Sequence, residues 1–496
     1  MNSWNQLLQN ALIGTEKKPP EPAALSTDEE LVPALQSIAG NTDLDAEEQL
    51  LQATALLFNF RQAGQTAQEL KEMEYSIAEA ETLPYCSAAA KDTLRELFEY
   101  QALGLFYYWI RHCAAAKRIA PPELVPLLLQ LAAKNPELRD PIRVITGKRG
   151  EWLAQLNPDW QESKSLSLEE SWEQGTTDQR VAALRQQRME NPEISRLWLT
   201  ESWSKEAAAV KQKLLEAFDT ALSDADLPFL ESCLKDKSQK VQQQVLELIR
   251  QIPESELVSA YAQVVRSSLV IRKEKTLLGL SSKLSWEVKT PVEIHPDWRK
   301  QGLETVSNSK EFTDEEYILF QLLHWVPPTL LNELSGLGTI ELIQALQKEK
   351  LKQWLPAIAS AAVRFRNQDW INTLAEQSDS FLPVLIVALP PAKQDAYAKT
   401  WFTGKEEFFI PVFVNRETEW PAPLARQLMN YTAANPYQYT KSFYQQLMHL
   451  LPLEGASWLD QFDPPEGYQR HYWQSIKEEI QPLFDLKKRI QQSFNA

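Results

Sequence analysis

The segment TGKRGEWLAQLNPDW, residues 146–160, places two glycines around a Lys-Arg pair in a chain that has only 14 glycines. A phosphate-binding loop of the form G-x-x-x-x-G-K-[ST] uses backbone N–H groups to wrap the phosphates and a hydroxyl to hold magnesium. Here Ile142 stands at the first glycine position and Arg149 at the hydroxyl position. The pattern fails at both ends, so we interpret the segment as a turn between helices and predict no nucleotide site there.

The five histidines also show no spacing that predicts a metal or catalytic site. None has a partner at the H-x-x-x-H spacing that places two imidazoles on one helix face for zinc. No G-x-S-x-G segment marks a serine nucleophile. His324 and His449 lie in apolar segments and are expected to be core or interface residues. We therefore name no catalytic, cofactor-binding or metal-binding residue, although distant residues can still assemble a catalytic site.

Charge and cysteine content narrow the class of function. The net charge of −16 argues against nucleic acid and anionic membranes, because both require concentrated positive charge on the protein. The three cysteines are widely spaced and odd in number, which disfavours a disulfide framework and a zinc ribbon. The first residues lack the pattern of a signal peptide, and the apolar runs are shorter than the roughly 18 residues of a membrane span. We predict a cytoplasmic protein.

The elements that must position any site are predicted to be helices. Glycine is scarce, and Leu, Ala, Gln and Glu, which favour helices, are abundant. The 30 prolines mostly stand between segments of helical periodicity, where they punctuate short helices. The fold class is therefore predicted as all-α.

An internal repeat in the middle of the chain indicates how the helices are arranged. Val181, Val210 and Val241 begin similar apolar patterns, at spacings of about 30 residues. Helical pairs of this length resemble HEAT-like repeats, and such pairs must stack because one pair alone cannot bury its apolar face. We predict an α-solenoid of HEAT-like helical pairs with a short connector that is irregular or contains β-structure.

These patterns divide the chain into four predicted parts. They are an N-terminal helical domain over residues 1–160, HEAT-like repeats over 161–266, a connector with short extended segments over 267–312, and a C-terminal helical domain over 313–496. Thr313 and Glu316 have the spacing of a capping box at the start of a helix. The segment EEFFIPVFV, residues 406–414, is predicted to be a strand or an extended loop.

Several segments resemble the bacterial domain of unknown function 5691 family. They are WNQLLQNALIGTEKKPPEP near the start, TGKRGEWLAQLNPDW, the repeat region, and LLHWVPPTLL, RFRNQDWINTL and LIVALPPAKQD in the last third. The family motif in the second segment corresponds to Gly147, Arg149, Gly150 and Trp152, which are expected to be structural. One departure is Gln242, which follows Val241 where the family often has arginine.

The resemblance implies a functional context and no catalytic residues. Proteins of this family are commonly encoded beside a MoxR-type AAA+ ATPase, a von Willebrand factor A domain protein and a SWIM zinc-finger protein. The internal repeat and the lack of catalytic motifs lead us to expect a non-catalytic scaffold or adaptor that binds proteins, without a cofactor. The resemblance suggests the ATPase or the von Willebrand factor A protein as its partner. An enzyme with an unrecognised site is the alternative, and a nucleic-acid-binding repeat protein is the least favoured hypothesis.

Overall fold

The computed structural model describes residues 2–26, 29–63, 77–160, 167–275, 282–462, 464 and 467–495. The chain divides into two compact units, Met1–Ile77 and Ala78–Ala496. Helices dominate both units, and the sheet structure of the described residues is one antiparallel pair of strands with an isolated bridge. The all-α prediction is confirmed.

The described residues of the first unit form three α-helices around a small apolar core. They are α1 Asn2–Ile13, α2 Val32–Gly40 and α3 Ala46–Ala63. Gly14 ends α1 with a φ of +89°, and its N–H donates to the carbonyl of Asn10 at 2.9 Å. A glycine in this conformation closes a helix at no steric cost. The core consists of leucines and one alanine: Leu7, Leu25, Leu31, Leu35, Leu50, Ala53 and Leu57.

The second unit begins with four helices that run up to residue 156. They are α4 Ala88–Tyr100, α5 Leu103–Ala115, α6 Val125–Lys134 and α7 Arg139–Leu156. Ser87 caps α4, because its side chain accepts a hydrogen bond from the N–H of Ala90. Pro126 stands in the first turn of α6, where its missing N–H has no intrahelical partner to lose.

Seven α-helices follow in the described part of the predicted repeat region. They are α8 Leu168–Gln174, α9 Thr177–Glu190, α10 Pro192–Ser202, α11 Ala208–Leu215, α12 Leu227–Cys233, α13 Gln239–Ile249 and α14 Glu256–Ser268. Val181, Val210 and Val241 lie on α9, α11 and α13, and these three helices pack side by side in chain order. Their apolar faces share one core that runs from Trp172 to Ile252. The solenoid arrangement stays a prediction.

The predicted connector contains the two strands. β1 Leu269–Lys275 pairs with β2 Ser282–Val288 in antiparallel register, with Leu269 opposite Val288. Leu269, Ile271 and Leu284 are buried. The hairpin therefore rests its apolar side on the helices, and the expected short extended segments are present.

The other helices of the described residues form the last part of the second unit. They are α15 Pro296–Lys300, α16 Asp314–Leu323, α17 Thr329–Ser335, α18 Thr339–Leu346, α19 Leu355–Arg364, α20 Gln368–Gln377, α21 Pro391–Trp401, α22 Glu406–Phe413, α23 Ala422–Ala434, α24 Lys441–Leu447 and α25 Gly467–Phe494. The capping box of α16 is confirmed: Thr313 Oγ1 accepts from the N–H of Glu316, and Glu316 Oε2 accepts from the N–H of Thr313.

The extended structure predicted for residues 406–414 is wrong, because this segment forms α22. Its aromatic and β-branched residues favour a strand by composition. However, Phe409, Ile410 and Phe413 are the residues that it buries, and this spacing is that of one helix face. Packing of this face against the neighbouring helix α23 overrides the local preference.

The two ends of the second unit pack against each other. Helix α25 lies on α4 and α5. The Ser87 hydroxyl donates to the carbonyl of Ser493 at 3.1 Å, and the Trp109 and Phe494 rings lie 5.2 Å apart. Residues between 90 and 145 thus share a core with residues between 261 and 490. The four-part division of the chain stays a prediction.

The helices are short or amphipathic rather than uniformly apolar. In the part of the chain that the structure describes, no helix combines the length and the apolar character needed to cross a bilayer.

A fully buried ion pair ties the middle helices together. The Arg188 guanidinium on α9 contacts both carboxylate oxygens of Asp226, at 2.8 and 3.2 Å, and neither side chain is exposed. Arg188 also donates to the carbonyls of Thr220 and Ala221. The pair therefore satisfies its polar groups inside an apolar core, which is the condition under which a buried charge can be tolerated.

We expect Arg188→Met to lower the free energy of unfolding by about 3 kcal/mol, because it leaves the Asp226 carboxylate buried with one fewer cation. The matched control is Arg185→Met on the same helix, whose ion pair with Asp219 is exposed and contributes less than about 1 kcal/mol. Urea denaturation followed by circular dichroism measures both. Equal losses in the two variants would contradict a structural role for the buried pair.

Candidate functional site

Helix α7 is broken at Gly147, in the middle of the segment that carries the family motif. Gly147 has φ 61° and ψ −161°, whereas the residues on both sides are helical. This backbone conformation is essentially restricted to glycine. A Cβ at this position would lie 2.3 Å from Glu81 Oε2. The predicted turn is confirmed, although the second half of the helix resumes at once.

The break redirects the backbone hydrogen bonds of α7. The N–H groups of Lys148 and Arg149 both donate to the Glu81 carboxylate at 2.9 Å. The carbonyl of Ile145, which would accept from Arg149 in a regular helix, instead accepts from the N–H of Ala120 at 2.7 Å. The second half of α7 therefore begins with an anion bound at its N-terminus, as helix N-termini favour. The anion is a carboxylate of the same chain.

The side chain of Lys148 adds further carboxylate contacts on the surface. Its Nζ lies 3.1 Å from Glu151 and 3.6 Å from Glu79. The hydrogen bond to Glu151 raises the pKa of the Lys148 ammonium. The polar groups at the helix break around Gly147 are thus already bound by acidic side chains of this protein.

The other motif residues have separate environments. Gly150 is buried, and a Cβ there would meet Thr146 Oγ1 at 2.3 Å, so the close contact with the preceding turn requires glycine. Trp152 is half-buried and Arg149 is exposed. The structure places Gly147 and Gly150 together at the helix break. The structural role expected for the four motif residues stays a prediction.

A cleft of about 620 Å³ opens beside the same helix, between α6 and α7. Its apolar lining includes Leu129, Ala132 and Ile142, which are buried. Its charged residues, all exposed, are Arg139, Arg143, Glu151 and Asp159. The volume lies within the range of about 300–1,000 Å³ that is usual for ligand sites.

Sequence reasoning did not single out the lining of this cleft. Arg139 and Arg143 are one helical turn apart, which places them on one face of α7. That spacing is readable in the sequence. What the sequence does not show is that α6 packs against this face and leaves a gap above its buried residues.

A cluster of ionisable groups surrounds the buried ammonium of Lys487 on α25. Lys487 Nζ lies 2.8 Å from Glu419 Oε2 and 4.6 Å from the centre of the Tyr108 ring. Burial lowers the pKa of Lys487 and raises that of Tyr108 to about 12. Burial also lowers the pKa of His112 and brings that of His449 to about 4, and the nearby charge of Lys487 adds to both shifts.

This cluster has the residue types of an active site, but the hydrogen-bond donors of its Lys487 ammonium are already paired with acceptors of the same protein. Besides Glu419, the Lys487 ammonium donates to the carbonyls of His449 and Leu451. Three acceptors match the three protons of an ammonium. His449 Nδ1 lies 3.0 Å from the carbonyl of Gln446. We therefore interpret the cluster as a structural contact that joins α25 to α5 and to the segment around residue 450.

The metal-ligating and thiol groups are dispersed over the described chain. Within it, no group of three or more His, Cys, Asp or Glu is arranged to hold a metal ion. Cys86, Cys113 and Cys233 are free thiols. Burial raises the pKa of Cys86 and Cys233 to about 11 and that of Cys113 further, so the described thiols are protonated at neutral pH.

We expect Gly147→Ala to lower the free energy of unfolding by about 2–3 kcal/mol, since alanine must adopt a glycine conformation and displace Glu81. Gly338→Ala is the control, because Gly338 has a negative φ and a Cβ added there would have no atom within 4 Å. Thermal unfolding of both variants measures the difference. If Gly147→Ala were as stable as Gly338→Ala, the break would tolerate a side chain at position 147, and the requirement for glycine would be contradicted.

The protonation of His449 predicts a pH dependence of stability. Its pKa is about 4 in the folded protein, against an ordinary value of 6.5, so the unfolded chain takes up the proton first as the pH falls. The stability that neutral His449 contributes is therefore present above pH 6.5 and is lost towards pH 4, by about 2 kcal/mol between pH 7 and pH 5.

His449→Gln removes this proton uptake, so its free energy of unfolding should fall less between pH 7 and pH 5 than that of the unaltered protein. His471→Gln, at an exposed histidine, is the control and should follow the unaltered protein. Urea denaturation at both pH values gives the comparison. Parallel curves for all three proteins would contradict the assignment.

Comparison with known proteins identifies a matching family model. The model of the family of unknown function DUF5691 matches residues 6–494, which is nearly the whole chain. The matched range includes the broken helix α7 and both sides of its cleft. No curated protein and no solved structure matches the chain. The protein therefore belongs to the family of unknown function DUF5691.

Proposed function

We propose that the protein is a non-catalytic scaffold or adaptor that binds a segment of a partner protein in the cleft beside α7. The observation that carries this proposal is the cleft itself, which has buried apolar residues in its lining and exposed charges of both signs around them. Protein interfaces have this composition, with an apolar centre that is desolvated and a polar rim that fixes the orientation.

The position of the cleft supports the same function. One wall is α7, whose break at Gly147 is held by two hydrogen bonds to Glu81 and whose next turn packs tightly at Gly150. A wall of this kind has little freedom to lose when a partner binds, and such preorganisation favours affinity. Side-by-side packing of α9, α11 and α13 adds the extended surface that is typical of helical-repeat adaptors.

The partner is proposed from the family context alone. A MoxR-type AAA+ ATPase and a von Willebrand factor A domain protein are the first proteins to test. The proposed location of the interaction is the cytoplasm. The cleft would receive an apolar side chain of the partner between the charged residues of its rim.

The test is pairwise co-expression of the full chain with each of these two proteins of the same organism, followed by affinity capture. Ala154 lines the cleft, so Ala154→Arg should place a long charged side chain in it and reduce capture at least tenfold. Leu156→Arg, on the same helix but outside the lining and 45% exposed, should leave capture unchanged.

As a check of folding, both variants must first show the same thermal unfolding midpoint as the unaltered protein. Capture of neither protein by the unaltered chain, or equal capture by the Ala154→Arg variant, would overturn the proposal of this cleft as the docking site.

A further inference from the structure

A second cleft, of about 550 Å³, lies among the middle helices of the second unit. It opens between the start of α11 and the turn that joins α12 to α13. Three lysines and two acidic residues line it, together with small residues. The charged residues are Lys211, Lys235, Lys237, Glu206 and Asp236. No residue of this cleft lines the cleft beside α7.

Both acidic residues of this cleft are already paired with cations. Glu206 Oε1 lies 2.5 Å from Arg180 Nη2, and Asp236 Oδ2 lies 2.6 Å from Lys211 Nζ. The hydrogen bond from Lys211, followed by that from the N–H of Ser238, lowers the pKa of the Asp236 carboxyl. These contacts neutralise the carboxylates and hold the turn in place.

Lys235 and Lys237 are the positive charges that remain. Both are exposed, and neither forms an ion pair with any residue that the structure describes. They are two residues apart in a turn that the Lys211–Asp236 pair anchors. The charge of Lys237 also helps to lower the pKa of the Asp236 carboxyl. The cleft therefore presents two exposed ammonium groups that have no ion-pair contact with the described residues, in a chain whose net charge is −16.

The start of α11 adds to the positive potential of the same cleft. Its N-cap is Ala207, and among the described residues no side chain caps the helix. Ala207, Ala208 and Ala209 are all exposed and small, and Ala208 lines the cleft. Unpaired N–H groups and the helix dipole both favour a negative charge at this position.

We propose that this cleft binds an acidic segment of a partner protein, with its carboxylates on Lys235 and Lys237. The proposal rests on the proposed scaffold function and adds a second contact surface to it. Charge complementarity selects a short acidic segment over a polyanion. Charges more than about 8–10 Å apart are largely screened at physiological salt, so two carboxylates respond mainly to the two lysines. A long nucleic acid would extend over the acidic remainder of the protein.

The experiment measures binding of a fluorescein-labelled peptide of alternating glutamate and alanine to the full chain by fluorescence anisotropy. We expect Lys235→Gln/Lys237→Gln to weaken binding about five- to tenfold, because charge contacts at exposed side chains are individually weak. The matched control is Lys348→Gln/Lys399→Gln, which removes the same charge from two exposed lysines elsewhere. Affinity of the unaltered protein should fall as salt increases.

Equal affinity for the lysine variant and its control would overturn the proposal. So would equal binding of a peptide of alternating glutamine and alanine, or tighter binding of a single-stranded oligonucleotide than of the acidic peptide. Ala154→Arg distinguishes this proposal from the proposed scaffold function, because this variant should still bind the acidic peptide. Loss of peptide binding in Lys235→Gln/Lys237→Gln with capture of no protein partner would support this cleft and count against the scaffold function.

Discussion

The structure depends on the burial of one apolar face by each of many short helices. Most of its helices have between 7 and 18 residues, and isolated helices of this length are marginal in water. Each helix is therefore stable only on its neighbours, and each end leaves backbone groups that need a partner. The capping boxes at Thr176 and Thr313 and the glycine at position 14 answer this need locally.

Where local capping is not enough, buried cations supply the partners. Arg188, Arg250 and Lys487 are almost completely buried, and each donates to backbone carbonyls as well as to an acidic side chain. Arg250, which directly follows α13, donates to the carbonyl of Gln301 and stacks on the Trp325 ring at 3.8 Å. Such groups are costly unless fully paired. They therefore restrict the packing to arrangements that bring their acceptors together.

The same requirement explains the break in α7 and the cleft beside it. Gly147 frees backbone groups in the middle of a helix, and these groups are satisfied by Glu81 and Ala120, which belong to the segments before α4 and before α6. Hydrogen bonds from two different segments therefore hold this part of α7 in place. This is the basis for proposing the cleft as a docking site, and the positive cleft at the start of α11 has a similarly anchored wall in the Lys211–Asp236 pair.

Features that depend on a few neighbouring residues could be predicted from the sequence. These are the helical class, the capping box at Thr313, the turn at Gly147 and the presence of extended segments in the connector. The prediction for residues 406–414 was wrong because composition alone could not show which face α22 buries. The sequence could not show that Glu81 caps the second half of α7, that Lys487 contacts Glu419, or that α25 lies on α5. These contacts join residues about 70 to 400 positions apart, and their geometry follows from the summed packing of all the helices between them, which no local pattern encodes.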